Sequence, residues 1–177
     1  MAPGRFRRAR AFGVYDRTLM ALIHRFKYGG AIQLAAPFGD LLFYTLISCW
    51  KTDRFDMVLP VPLHAQRMRR RGFNQAYLMI RQWDRYKKVL SVPYERIARD
   101  VLLRIRKTDP QTGLGRQKRV ANMKNAFQLN PAADVTDLRI LLIDDVYTTG
   151  ATVNECARVL LDGGARHVDV LALARRL

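Results

Sequence analysis

The chain has 177 residues, 49% of them apolar, enough to bury one core and to make a single domain over 1–177 the expectation. Its 31 Lys and Arg against 15 Asp and Glu leave a formal charge of +16, a field that favours anionic partners: nucleic acid, an anionic membrane surface or a polyphosphate metabolite. With two distant cysteines, Cys49 and Cys156, neither a disulfide framework nor a four-ligand structural zinc site is expected, and both thiols are read as buried apolar residues.

In chain order, the basic start MAPGRFRRARAF lacks the apolar stretch of a secretory signal, and no segment reads as a membrane span. The expected setting is therefore a reducing cytoplasm, without a membrane partner. From Asp16, the apolar residues Leu19, Leu22, Ile23 and Phe26 recur at helical spacing until Gly29 and Gly30 stop them. A second apolar helix is expected from about Pro37 to Cys49. Phe55 to Pro62 reads as a strand, followed by an arginine-dense loop and a helical stretch from about Asn74 to Tyr86. The composition of Leu102 to Met123 resists a packed element and reads as a mobile loop entering a short helix, with a short strand at Ala126 to Leu129. Arg139 to Ile143 is a buried strand, Ala151 to Leu161 a helix closed by Gly163 and Gly164, and His167 to Leu173 a further strand. Strands separated by helices imply parallel pairing and right-handed crossovers. The expected fold is α/β, a parallel-rich twisted sheet flanked by helices.

The stretch ILLIDDVYTTGAT, Ile140 to Thr152, carries the sharpest chemistry. A buried strand projects its carboxyl end rigidly at the edge of the sheet, where open α/β folds bind ligands. Asp144 and Asp145 offer acceptors to paired hydroxyls such as those of a ribose. Gly150 permits a tight turn, and the N–H groups opening the next helix make a phosphate cradle to which Thr148, Thr149, Ala151 and Thr152 belong. A plain capped βα turn would look similar, but two adjacent carboxylates repel unless something uses them.

This string resembles the PRPP (5-phosphoribosyl-1-pyrophosphate) signature of type I phosphoribosyltransferases. Together with PVPLH, RRRGFNQA and RIRKTDPQTGLGRQKRVANMKNAF, it makes the chain similar to the ComF/GntX family of phosphoribosyltransferase-like proteins from about Val14 to the end. The resemblance implies a type I phosphoribosyltransferase fold, with a helical hood-like segment at 14–50 and a PRPP-binding core at 55–177. It implies that Asp144 and Asp145 hold the ribose hydroxyls and that Thr148 to Thr152 hold the 5-phosphate. Val61, Pro62, Leu63 and His64 would lie beside the diphosphate with Arg67 and Arg71, while Asn74 and Gln75 match family positions. Arg104, Arg106, Lys107, Thr108 and Gln111 would belong to a loop that closes over the diphosphate, Arg119 and Asn122 to its base, and Arg104 and Lys107 are taken with the two aspartates as catalytic candidates. Magnesium would be held mainly through PRPP, and a homodimer is implied. Members commonly begin with a four-cysteine zinc ribbon, for which no CxxC pair is seen here, so no protein metal ligands are expected. An acceptor pocket is expected from Asp16 to Trp50, where Lys27 in FKYGG matches the family's lysine-glycine motif.

The reaction implied is glycosyl transfer from PRPP with release of pyrophosphate. The competence in the family name implies an alternative: a component of DNA uptake that binds single-stranded DNA, with PRPP as ligand or regulator. For that role the charge, Arg69, Arg70 and Arg71, and the aromatics Tyr28, Phe73, Tyr77 and Trp83 are the candidates.

Overall fold

The computed structural model describes residues 4–108 and 116–176. Asp16 caps α1 (Arg17–Tyr28) by accepting the Leu19 N–H at 2.8 Å, and the helix buries Ile23 and Phe26, as the periodicity implies. A 3-10 turn, Ile32–Leu34, leads into α2 (Ala35–Cys49). The central sheet combines β1 (Ala9–Val14), β2 (Phe55–Pro60), β3 (Tyr94–Ile97), β6 (Arg139–Tyr147) and β7 (His167–Arg175) in the order β1-β7-β6-β2-β3, every pair parallel. A separate antiparallel pair joins β4 (Leu102–Arg104) to β5 (Phe127–Leu129).

The pleat of the sheet divides the core in two. Phe55, Val58, Leu141, Ile143, Leu171 and Leu173 pack on one face with α1 and α2, whereas Met57, Leu59, Ile140, Leu142, Val168 and Val170 pack on the other. On that second face lies α6 (Ala151–Asp162), which buries Val153, Cys156 and Leu160. Because both faces are covered, the inner strands β2, β6 and β7 read as largely apolar runs rather than alternating ones. At the amino end of β6, Arg139 grips Asp56 of β2 through its backbone N–H at 2.7 Å and its guanidinium at 2.7 and 3.0 Å. That contact helps fix the register in which Met57 faces Ile140.

Several sequence expectations are corrected. The arginine-dense loop is a helix, α3 (Ala65–Arg71): His64 Nδ1 accepts the Gln66 N–H at 3.3 Å, and Gly72, in the left-handed region at φ 82°, ends it. The stretch from Asn74 divides into α4 (Gln75–Ile80) and a 3-10 turn, Trp83–Lys88. Residues from Leu102 do pack, since β4 gains its partner in β5, and α5 (Arg116–Met123) follows. Cys49 is exposed because it ends α2. The stretch Ile32–Cys49 is long and apolar enough to cross a membrane by length and composition, contrary to expectation. In the fold its Phe38, Leu42, Phe43 and Leu46 belong to the core.

Candidate functional site

The central strand β6 ends in Asp144 and Asp145, and side chains from three other segments converge there. Asp145 is 9% exposed. Its Oδ1 lies 2.6 Å from Lys27 Nζ in the last turn of α1, and its Oδ2 accepts the Gln75 Nε2–H at 3.1 Å from the first turn of α4. Burial works against the charge on Lys27, but the attraction of Asp145 and Asp144 outweighs it, so the ammonium pKa is raised. Asp144 accepts the backbone N–H of Asp145 at 2.9 Å. Burial, then repulsion from Asp145, pushes its carboxyl up to about 7, against the pull of Lys27 and Arg104.

Beyond the aspartates the chain turns sharply. Gly150 has φ 75°, and a Cβ there would stand 2.7 Å from the Tyr147 hydroxyl, so a side chain would strain the backbone and displace that phenol. Gly150 is the N-cap of α6 and brings no side-chain cap, while Thr149 Oγ1 accepts the Ala151 N–H at a long 3.4 Å. Thr148 and Thr149 are half-buried beside it.

β2 pairs with β6, which sets Val61 next to Ile143 through an N–H to carbonyl bond of 2.9 Å. Asn74 Nδ2 donates to the Val61 carbonyl at 3.0 Å and so ties the VPLH segment to α4. His64 serves as the N-cap of α3, a structural duty. Arg67 donates to the Thr108 carbonyl at 3.1 Å. Arg104 bonds the Thr108 hydroxyl and lies over the Phe127 ring, 5.3 Å from its centroid. Burial and then the nearness of Arg67 pull its guanidinium down to about 10, while Asp144 attracts it. Arg71 lies 4.8 Å over the Tyr28 ring, and burial lowers its pKa against the attraction of Tyr28 and Asp145.

The structure thus gathers Asp144, Asp145, Lys27, Gln75, Arg67, Arg71 and Arg104. Arg69 and Arg70 are exposed in the last turn of α3, and Lys107 is exposed. Gln111 lies outside the described residues, as does the middle of the expected closing loop. Among the described residues, two buried side-chain atoms beside the carboxylate pair have no hydrogen-bond partner, the donor Arg104 Nε and the acceptor Gln75 Oε1. Sequence reasoning did not foresee that Lys27 and Gln75 clamp Asp145, because nothing local signals contacts 118 and 70 residues apart. Cys156 is buried, as its sequence reading expects, and its thiol pKa is raised by burial and by nearby Asp144.

A parallel sheet whose central strand ends in an acidic pair and a glycine turn, with guanidiniums on the neighbouring strand's connection, is consistent with a phosphoribosyltransferase-like α/β protein. No family model matches the chain. Known proteins do: it is 34% identical to Competence protein F of Haemophilus influenzae over 167 residues, 92% of this chain and 70% of that one. It is 34% identical over 166 residues to DNA utilization protein YhgH of Escherichia coli, again 92% of this chain and 70% of the relative. With Competence protein ComFC of Bacillus subtilis the identity is 30% over 170 residues, 96% of this chain and 65% of that protein. The chain belongs to the ComF family.

Proposed function

We propose that this protein serves DNA uptake or utilisation by binding single-stranded DNA, with PRPP as a ligand or regulator held beside the DNA path. The observation that carries the reading is the exposed arginine end of α3, Arg69 and Arg70, beside Arg67, which donates to the Thr108 carbonyl, and Arg71, which lies over the Tyr28 ring. The names of the relatives, which speak of competence and DNA utilisation, support it. Guanidiniums neutralise phosphates and release counterions, which supplies most sequence-independent affinity. Fluorescence anisotropy of a labelled oligonucleotide tests this. Affinity should fall steeply with salt, and Arg69→Ala with Arg70→Ala should reduce the log–log slope by about 0.7 for each lost phosphate contact. Affinity that stays flat with rising salt would contradict it.

A second reading is favoured by the Gly150 turn beneath the carboxylate pair and by the Arg104 Nε, buried without a partner among the described residues: the site would bind PRPP and transfer its ribosyl group. Asp144 and Asp145 would accept the ribose 2- and 3-hydroxyls, and the turn from Thr148 to Thr152 would hold the 5-phosphate. Val61 to His64, with Arg67, Arg71 and Arg104, would face the diphosphate. As the C1–O bond breaks, pyrophosphate takes the bonding pair, an acceptor nucleophile bonds to C1, and the carboxylates favour the developing positive charge of the ring. Among the described residues no group of three His, Cys, Asp or Glu could cage a metal, so the donor set fits magnesium only as an ion carried by the diphosphate. Bound in that way, the ion would screen the charge of the leaving group. PRPP with magnesium should raise the melting temperature, and Asp144→Asn with Asp145→Asn should abolish the rise.

A further inference from the structure

Among the aromatic side chains near the pocket, Tyr28 is placed differently from the rest. It ends α1 and is 59% exposed, although Phe26 is buried and Lys27 is drawn inward to Asp145. The Arg71 guanidinium lies 4.8 Å over its ring, and the exposed His24 ring stands 5.5 Å away at 60°. The phenol is therefore held by a cation on one side while most of the residue still faces solvent. Other aromatics cannot offer a face in the same way. Trp83 is 1% exposed, Phe73 packs on Phe26 at 5.5 Å, and Tyr77, although Arg99 lies 5.5 Å over its ring, is half-buried. Tyr44 is 64% exposed on α2, but no guanidinium lies over its ring among the described residues.

The surroundings of Tyr28 carry the charge that a nucleic-acid strand needs. Arg25 is exposed one turn back on α1, and Arg69 and Arg70 are exposed on the helix that supplies Arg71. Cationic side chains that follow a backbone, interleaved with a ring that accepts a base, are the two parts of a single-strand binding surface. We infer that Tyr28 is a base-stacking platform, and that single-stranded DNA crosses the rim of the β6 pocket there, one base on the Tyr28 ring and the flanking phosphates on Arg69 and Arg70. The inference rests on the DNA reading above and adds the ring, the path and the need for an unpaired base. It also sets the DNA one residue from Lys27, so that a base on Tyr28 and a sugar phosphate at Asp145 share the last turn of α1.

Stacking and charge neutralisation leave different marks, and the test uses that difference. Binding of a labelled single strand is measured across a salt series for the wild type, Tyr28→Ser, Tyr28→Phe and the exposed control Tyr44→Ser. A strand carrying abasic sites and a duplex are measured in parallel. Tyr28→Ser should weaken the single strand about tenfold at every salt concentration, leaving the slope unchanged, because a ring displaces no counterions. Tyr28→Phe should bind as the wild type does, and Tyr44→Ser should change nothing. On the abasic strand and on the duplex, wild type and Tyr28→Ser should be indistinguishable, since neither offers a free base at the ring. If the wild type binds the strand and Tyr28→Ser binds it equally well, the platform is overturned while the DNA reading stands. A slope that falls as it does in the arginine variants would also overturn it, by assigning the loss to a displaced Arg71. If the wild type binds no single strand, the DNA reading itself fails.

Discussion

Lys27 and Asp145, 118 residues apart in sequence, meet in a 2.6 Å ion pair that ties the last turn of α1 to the carboxyl end of β6. Their side chains are 18% and 12% exposed, so solvent screens the pair weakly. Lys27→Met should cost about 1–3 kcal/mol in urea unfolding, somewhat less than the loss of one partner from a fully buried pair. Because the folded pKa of Lys27 is raised, its stabilisation is complete below the ordinary lysine value of 10.5 and is lost as pH climbs through the raised one. The penalty of the substitution should therefore hold steady from neutral pH upward and shrink only above that value.

Asp144 should behave in the opposite sense to most carboxylates. Burial and the neighbouring Asp145 raise its pKa from 3.8 to about 7, so its contribution is present below 3.8 and is lost as pH rises towards 7. Asp144→Asn should then melt at a temperature increasingly above the wild type's between those two values, each kcal/mol gained appearing as about 2–4 °C. The same variant should lose its melting response to PRPP. A wild type that gains on the variant with rising pH would contradict the assignment.

At Gly150, alanine meets two obstacles, a left-handed backbone and the Tyr147 hydroxyl 2.7 Å from its Cβ. Gly150→Ala should cost about 1–3 kcal/mol in stability. Gly150→Ala combined with Tyr147→Phe should recover only the hydroxyl's share, because the ring carbons at 3.0 and 3.2 Å and the φ penalty remain. Chemical unfolding of the two variants separates these contributions.

α1, α2, α6, β6, β7 and the acidic turn were legible because each is written locally: periodicity in α1, an apolar run in β6, and adjacent carboxylates followed by a glycine turn. β1 and β3 were not, since ARAFGV and YERI are short and mixed and become strands only by pairing with β7 and β2. α3 was missed because a run of arginines reads as charge before it reads as helix. In the site, the aspartates were legible, but their clamp by Lys27 and Gln75 depends on how α1 and α4 pack.

The same limit applies to the N-terminal arginines, whose partners lie far off in sequence. Arg7 bonds the fully buried Asp169 at 2.7 Å and Asp53 at 2.6 Å, Arg8 reaches Asp53 at 2.7 Å, and Trp50 Nε1 donates to Asp169 at 2.7 Å. Asp169→Ala should cost about 2–4 kcal/mol, since it leaves buried donors without an acceptor, and Asp169→Asn should cost less. Thermal melts of the two variants check the order.

The most direct test of the account is competition between its two anions. The arginine end of α3, Tyr28 and the Lys27–Asp145 clamp lie together, so a ligand in the β6 pocket and a strand on its rim must affect one another, and the coupling is reciprocal. Anisotropy of a labelled single strand is followed with and without saturating PRPP and magnesium at fixed ionic strength, against magnesium pyrophosphate and simple salt as controls. The account predicts that PRPP weakens DNA binding beyond both controls. Curves that superimpose would contradict it and place the DNA on another face.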